Sequence, residues 1–194
     1  MQRRLLSEIQ EYESELNEKE LTGYIGEILV QHTIALKYQM RVHKIPDELK
    51  FDTDFITATG KRLEVETRRI ERKIDKRKGR SVILWWHFKE LKYLKNVGKQ
   101  RPRQTPRQSD FYIFVCMPKT GYTPTGFYVV PSGELVKKNG KPLTDFAVTD
   151  KDFNREKCER SRWFPYQNKW ELIEPKMFEK LKTKDIASIA KFGT

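Results

Sequence analysis

Residues 51–69 carry four carboxylates, Asp52, Asp54, Glu64 and Glu66, in two short arms either side of Ala58-Thr59-Gly60. Both arms alternate apolar or β-branched residues with polar ones, and Gly60 can take a left-handed backbone without strain. The spacing therefore predicts a β-hairpin with a three-residue turn and a bulge at Gly60. In that register Thr57 faces Lys61, Phe55 faces Leu63, Asp54 faces Glu64 and Asp52 faces Glu66, because directly opposed residues share a face. The acids gather on one side; Phe51, Phe55, Leu63 and Val65 gather on the other. A two-residue turn at Thr59-Gly60 would instead set Asp54 opposite Val65 and scatter the acids. Facing carboxylates repel one another, so the pattern calls for a compensating cation. A hard divalent ion such as Mg²⁺ suits it, since one or two carboxylates plus water and a phosphate suffice to hold it. The competing reading is a surface hairpin whose acids pair with nearby Arg and Lys.

Other elements must position these side chains. Leu21, Ile25, Ile28, Leu29, His32 and Leu36 recur at helical spacing and predict a helix over residues 20–40. Glu27 lies one residue off that apolar stripe, placed either to reach the hairpin acids or to face solvent. His32 stands without metal-ligand spacing and reads as a core-edge residue. Upstream, Leu5, Leu6, Ile9, Tyr12 and Leu16 predict an amphipathic helix over residues 3–17. Downstream, residues 81–88 read as a strand followed by a short helix to Asn96. Of the adjacent Trp85 and Trp86, one is expected in the core and the other free to stack or fill an interface. His87 reads as structural. Residues 110–117 form an apolar run expected as a buried strand, paired through a turn-rich connection with a strand over residues 126–130. Helical signals follow over residues 175–182 and 184–192.

Charge is distributed unevenly. The 194-residue chain has a net charge of +12 and a pI near 9.6, a balance that suits a polyanionic partner but says nothing of fold. Arg68, Arg69, Arg72, Lys73, Lys76, Arg77, Lys78 and Arg80 fall within thirteen residues, directly after the second hairpin arm. A second cluster contains Lys99, Arg101, Arg103 and Arg107. Residues 101–108, stiffened by two prolines, offer Arg101, Arg103, Gln104 and Arg107 either to base edges in a groove or to phosphates without regard to sequence.

The length allows one domain with a proper core. No CxxC, metal spacing or disulfide framework involves Cys116 and Cys158, which points to a reducing cytoplasm. Cys116 sits in the apolar run and reads as a small buried residue. The longest apolar run is too short to cross a bilayer, and the N-terminus has no signal-peptide core, so no membrane partner is expected.

A helix bearing Glu27, a strand bearing Asp54, and a hairpin partner bearing Glu64 and Glu66 one residue apart resemble the PD-(D/E)XK nuclease superfamily across residues 23–134. The resemblance implies an α/β, restriction-endonuclease-like fold with a mixed central β-sheet flanked by helices. The chain is then a single nuclease-like domain over residues 1–194, with an N-terminal helix (1–20), the motif-bearing core (23–134) and a C-terminal extension (135–194). It also implies a metal-dependent endonuclease acting on duplex DNA. Asp54 matches the motif aspartate, Glu64 the next acidic ligand and Glu66 the position usually held by lysine. Asp52 replaces Asp54 if the register slips. The implied ligands are Asp54, Glu64 and Glu66, with Glu27 assisting, Mg²⁺ as the ion and Mn²⁺ as its substitute.

Glu in place of the lysine is similar to a subset of type II restriction endonucleases, which would work as a homodimer on double-stranded DNA. The alternatives are a repair or junction-resolving nuclease, or a noncatalytic DNA-binding protein that keeps the fold. Arg68, Arg69, Arg72, Lys73, Lys76, Arg77, Lys78, Arg101, Arg103, Gln104 and Arg107 are the expected nucleic-acid contacts.

Overall fold

The computed structural model describes residues 16–46, 53–75, 81–89, 109–137, 139–140, 143–153 and 161–175. The expected helices over residues 3–17, 175–182 and 184–192, and the short helix ending at Asn96, lie outside them or nearly so. So do Asp52, Lys76, Arg77, Lys78, Arg80, Arg101, Arg103, Gln104, Arg107 and Cys158.

Helix α1 spans Glu18–Lys37. It starts there because Asn17 accepts hydrogen bonds from the Lys19 and Glu20 N–H groups, each at 3.1 Å, while Glu20 accepts from the Asn17 N–H at 3.2 Å. This reciprocal pair satisfies the otherwise orphaned donors of the first turn. Ile25, Val30 and Ile34 of α1 are fully buried.

The strands are β1 (Val42–Lys44), β2 (Phe55–Thr57), β3 (Arg62–Arg69), β4 (Glu71–Asp75), β5 (Ser81–Phe88), β6 (Phe111–Met117), β7 (Gly126–Pro131) and β8 (Phe146–Thr149). They form a five-stranded sheet in the order β1-β2-β3-β6-β7 and a three-stranded sheet in the order β4-β5-β8. Within the larger sheet β3 and β6 run parallel, with Leu63 beside Phe111 and Arg69 beside Met117; the other neighbours are antiparallel. The protein is a mixed α/β fold built on a central mixed sheet with one main helix.

Alternation along the central strands divides the core in two. Leu63, Phe111, Ile113, Val115 and Met117 pack with Ile25, Val30 and Ile34 of α1. Tyr112, Phe114 and Cys116 point the other way, into a cluster with Trp86 and Phe88 of β5 and Phe146 and Val148 of β8. Strand β6 is buried along its whole length because both its faces are covered. The expectation of helices on the sheet is met on the α1 face. On the other face, the described covering is the three-stranded sheet, which periodicity alone does not separate from the central one.

Ile70 marks the switch between sheets. Its N–H bonds the Met117 carbonyl at 3.0 Å and its side chain packs on the second cluster, so the chain leaves β3 and enters β4 at a fixed point. The expected strand over residues 81–88 is β5, and its tryptophans divide as anticipated. Trp86 is buried and donates to the Met117 carbonyl at 2.7 Å, whereas Trp85 is partly exposed beneath the Lys73 ammonium, 4.0 Å from the ring centre.

Candidate active site

The hairpin forms with the three-residue turn. The Gly60 N–H bonds the Thr57 carbonyl, the Thr57 N–H bonds the Lys61 carbonyl, both at 2.9 Å, and Gly60 has φ +84°. Phe55 pairs with Leu63, as the register requires. Thr57 and Thr59 both donate through their hydroxyls to the Glu174 carboxylate, which ties the turn to the later chain.

Beyond Phe55 the ladder changes. The Asp54 N–H turns to the Leu63 carbonyl at 2.8 Å, where a continued ladder would point it away from β3. Its side chain then takes the place of a backbone acceptor, receiving the Val65 N–H on Oδ2 at 2.6 Å. The expected regular Asp54–Glu64 ladder pair is therefore replaced by a local departure that inserts the Asp54 carboxylate between the strands. Such departures commonly re-aim a side chain. Thr53 is fixed next to it by a 2.8 Å hydroxyl contact with Ser109, the residue two positions before β6.

Asp54 is 4 % exposed and Glu64 is 2 % exposed. Two carboxylates so far removed from water are costly unless hydrogen bonds or a cation compensate them. Glu64 and Glu66 project from the face of β3 opposite Leu63 and Val65. Glu66 is half-buried and meets Arg68 at 3.7 Å.

Glu27 sits on α1, immediately after the point of closest helix–sheet approach. At Gly26 a Cβ would lie 1.7 Å from the Thr67 hydroxyl oxygen of β3 and 2.8 Å from its Cβ, so only glycine fits. The Glu27 carboxylate pairs with Lys44 of β1 at 2.9 Å, and the same ammonium lies 5.4 Å from the Tyr24 ring centre. Lys44 is thus a charged partner of Glu27 that the motif spacing does not reveal, brought there by a three-residue strand; α1 lies on the Leu63 and Thr67 side of β3, whereas Glu64 and Glu66 project from the other face.

Among the described residues no group of three or more His, Cys, Asp and Glu side chains is arranged to hold a metal. A closed three-carboxylate shell of Asp54, Glu64 and Glu66 is therefore not formed. Asp54 and Glu64 are hard oxygen donors, the donor type that a Mg²⁺ held chiefly by water and substrate oxygens takes in ones or twos.

The cations lie further along. An open cleft of about 880 Å³ begins where the acids end and is walled by Thr67, Arg68, Arg69, His87, Lys89 and Lys119, with the start of α1 on its other side. Arg69 donates to the Pro118 and Gly121 carbonyls at 3.2 and 3.0 Å, which fixes its guanidinium on the cleft wall. Lys19, Glu18 and Glu71 also line it, so the cleft is basic on balance and carries a positive potential beside the acids. Burial holds the His87 imidazole below its usual pKa, against the opposing pull of Asp145 at 3.8 Å. Arg72 and Lys73 lie on β4, exposed.

No protein-family model and no curated protein matches the chain. Among solved structures, a bacterial homing endonuclease superposes with a TM-score of 0.48 and 16 % identity, covering 87 % of this chain and 99 % of that one.

Proposed function

We propose that this chain is a metal-dependent DNA endonuclease of the PD-(D/E)XK type that hydrolyses phosphodiester bonds of duplex DNA. The observation that carries the reading is the pair of buried carboxylates, Asp54 immediately before β2 and Glu64 on β3, at a hairpin with the expected turn. Asp54 and Glu64 would hold Mg²⁺, with Mn²⁺ able to substitute. When bound, the ion neutralises charge growing on the phosphate and lowers the pKa of an attacking water.

The protein groups divide the remaining work. The Val65 N–H holds Asp54 in one orientation. Glu66, beside Arg68, accepts the proton of the attacking water. Glu27, fixed by Lys44, orients water at the edge of the site. Arg68 and Arg69 hold phosphates along the cleft, with Arg72, Lys73, Lys76, Arg77, Lys78, Arg101, Arg103, Gln104 and Arg107 extending the contact. Within this reading, Glu66 in the usual lysine position favours a type II, site-specific restriction enzyme acting as a homodimer, so that two sites cut two strands.

The test is incubation of duplex DNA with the protein in Mg²⁺ and in EDTA. Discrete fragments that require Mg²⁺ support the restriction reading, and Mg²⁺-dependent cutting without discrete sites supports a repair or junction nuclease. Binding that persists with no cutting under any divalent ion would identify a DNA-binding protein on the same fold.

A further inference from the structure

Strands β4 and β5 extend past the sheet to which they belong. Strand β8 pairs only with Trp85 to Phe88, so the outer pairs Arg72–Leu84, Lys73–Ile83, Ile74–Val82 and Asp75–Ser81 form a ribbon of two strands. Four pairs span roughly 13 Å at strand spacing. One face of the ribbon continues the line of Trp86 and Phe88, which are buried, outward to Leu84 and then to Val82 and Ile74. There the core stops covering it: Val82 is 61 % and Ile74 60 % exposed, directly opposite one another. Arg72 lies on the same face, by alternation with Ile74. On the reverse face Lys73 lies over Trp85, which stacks in turn near His87 at 4.4 Å, so the ribbon's root is stiffened from behind.

An exposed apolar pair beside an arginine on a two-stranded ribbon offers a contact surface, and charge selects its occupant. Six of the nine residues from Arg72 to Arg80 are basic and one is acidic. A second copy of the chain docked face to face would bring Arg72 against its own counterpart, because a two-fold interface opposes a patch to itself. A polyanion meets the basic residues favourably. The major groove of duplex DNA is wide enough for a two-stranded ribbon, and it displays thymine methyls for apolar contact and guanine acceptors for arginine.

We infer that the outer β4–β5 ribbon is the sequence-reading element of this protein, with Ile74 and Val82 against thymine methyl groups and Arg72 beside them in the major groove. The inference rests on the DNA-directed reading above and adds to it the element that selects the site. It assigns recognition to residues outside the acids and outside the basic cleft.

The experiment selects bound duplexes from a random pool, using the full chain with EDTA present to prevent cutting. The wild-type protein is expected to enrich a motif containing thymines. Replacing those thymines by uracil, which removes only the methyl groups, should weaken binding about fourfold per contacted methyl. Ile74→Ser with Val82→Ser should bind the thymine and uracil duplexes equally, while its affinity for unselected DNA stays within about twofold of wild type. The uracil arm leaves the protein untouched, so it reads the contact even if the double variant is poorly folded. No binding to any duplex overturns the DNA-directed reading itself. Binding without an enriched motif, or an enriched motif indifferent to uracil in the wild type, overturns the ribbon's role and leaves the nuclease reading standing. Loss of binding to phosphatidylserine vesicles in the double variant, with duplex selection unchanged, would make the ribbon a membrane contact and also overturn it.

Discussion

Asp54 and Glu64 are buried on a hairpin that could have been stabilised without them, and their removal should separate chemistry from folding. Asp54→Asn keeps an oxygen for the Val65 N–H but removes the charge. It is expected to bind DNA as the wild type does and to lose at least about 10²-fold in Mg²⁺-dependent cleavage, read by fragment appearance against filter binding. Glu64→Gln should behave alike. If either variant cuts at the wild-type rate, the site lies elsewhere. Glu66→Lys restores the residue type usual at that position in the resembled family. It should retain DNA binding, and a shift in the pH profile of any remaining cleavage would support the proton-accepting role proposed for Glu66.

His87 gives a prediction of another kind. Burial depresses its pKa, with Asp145 and Glu71 opposing and Lys89 and Lys73 assisting the depression. The unfolded chain therefore binds a proton near pH 6.5 while the folded chain still resists it. The stability contributed by neutral His87 is present above that pH and is lost as pH falls from about 6.5 toward the lower folded value. His87→Gln should flatten the dependence of the thermal midpoint on pH in that window and leave the midpoint at pH 8 less affected.

The secondary-structure elements set how closely these residues can approach. Helix α1 lies against β3 only because Gly26 has no side chain at Thr67. Gly26→Ala should cost roughly 1–3 kcal/mol by overpacking, measured by denaturant unfolding, despite the gain in helix propensity. Thr67→Ala in the same chain should recover part of that loss. The hairpin was legible from sequence because alternation and Gly60 specify both its faces and its turn. The departure at Asp54 was not, since it depends on a side chain displacing a backbone acceptor, which no periodicity encodes. Strand β4 was equally hidden: Glu71-Arg-Lys-Ile-Asp75 has one apolar residue and becomes a strand through pairing with β5. The Glu27–Lys44 ion pair leaves no sequence signal, because it joins a helix to a strand of only three residues.

At the scale of the whole molecule, the central sheet separates a mainly aliphatic cluster under α1, which also holds Phe55, Phe111, Phe127 and Trp170, from a mainly aromatic one under β5 and β8. Cys116 lies in the aromatic layer, and burial pushes its thiol well above the usual range. Iodoacetamide should leave Cys116 unmodified in the native protein and label it in denaturant, as peptide mass analysis would show.

The parallel pairing of β3 with β6 also dictates an order of assembly. Leu63 and Phe111 are neighbours in the sheet but nearly fifty residues apart in the chain. The β2–β3 hairpin can close locally and early, within microseconds, whereas the β3–β6 edge must wait for a long loop to close. Until then β3 has one bare edge, Glu64 lacks the neighbouring strand that buries it, and Thr53 beside Asp54 lacks its Ser109 partner. A chain interrupted during synthesis before β6 would thus hold the hairpin without the site. The proposed site would be completed late, with the closing of the sheet.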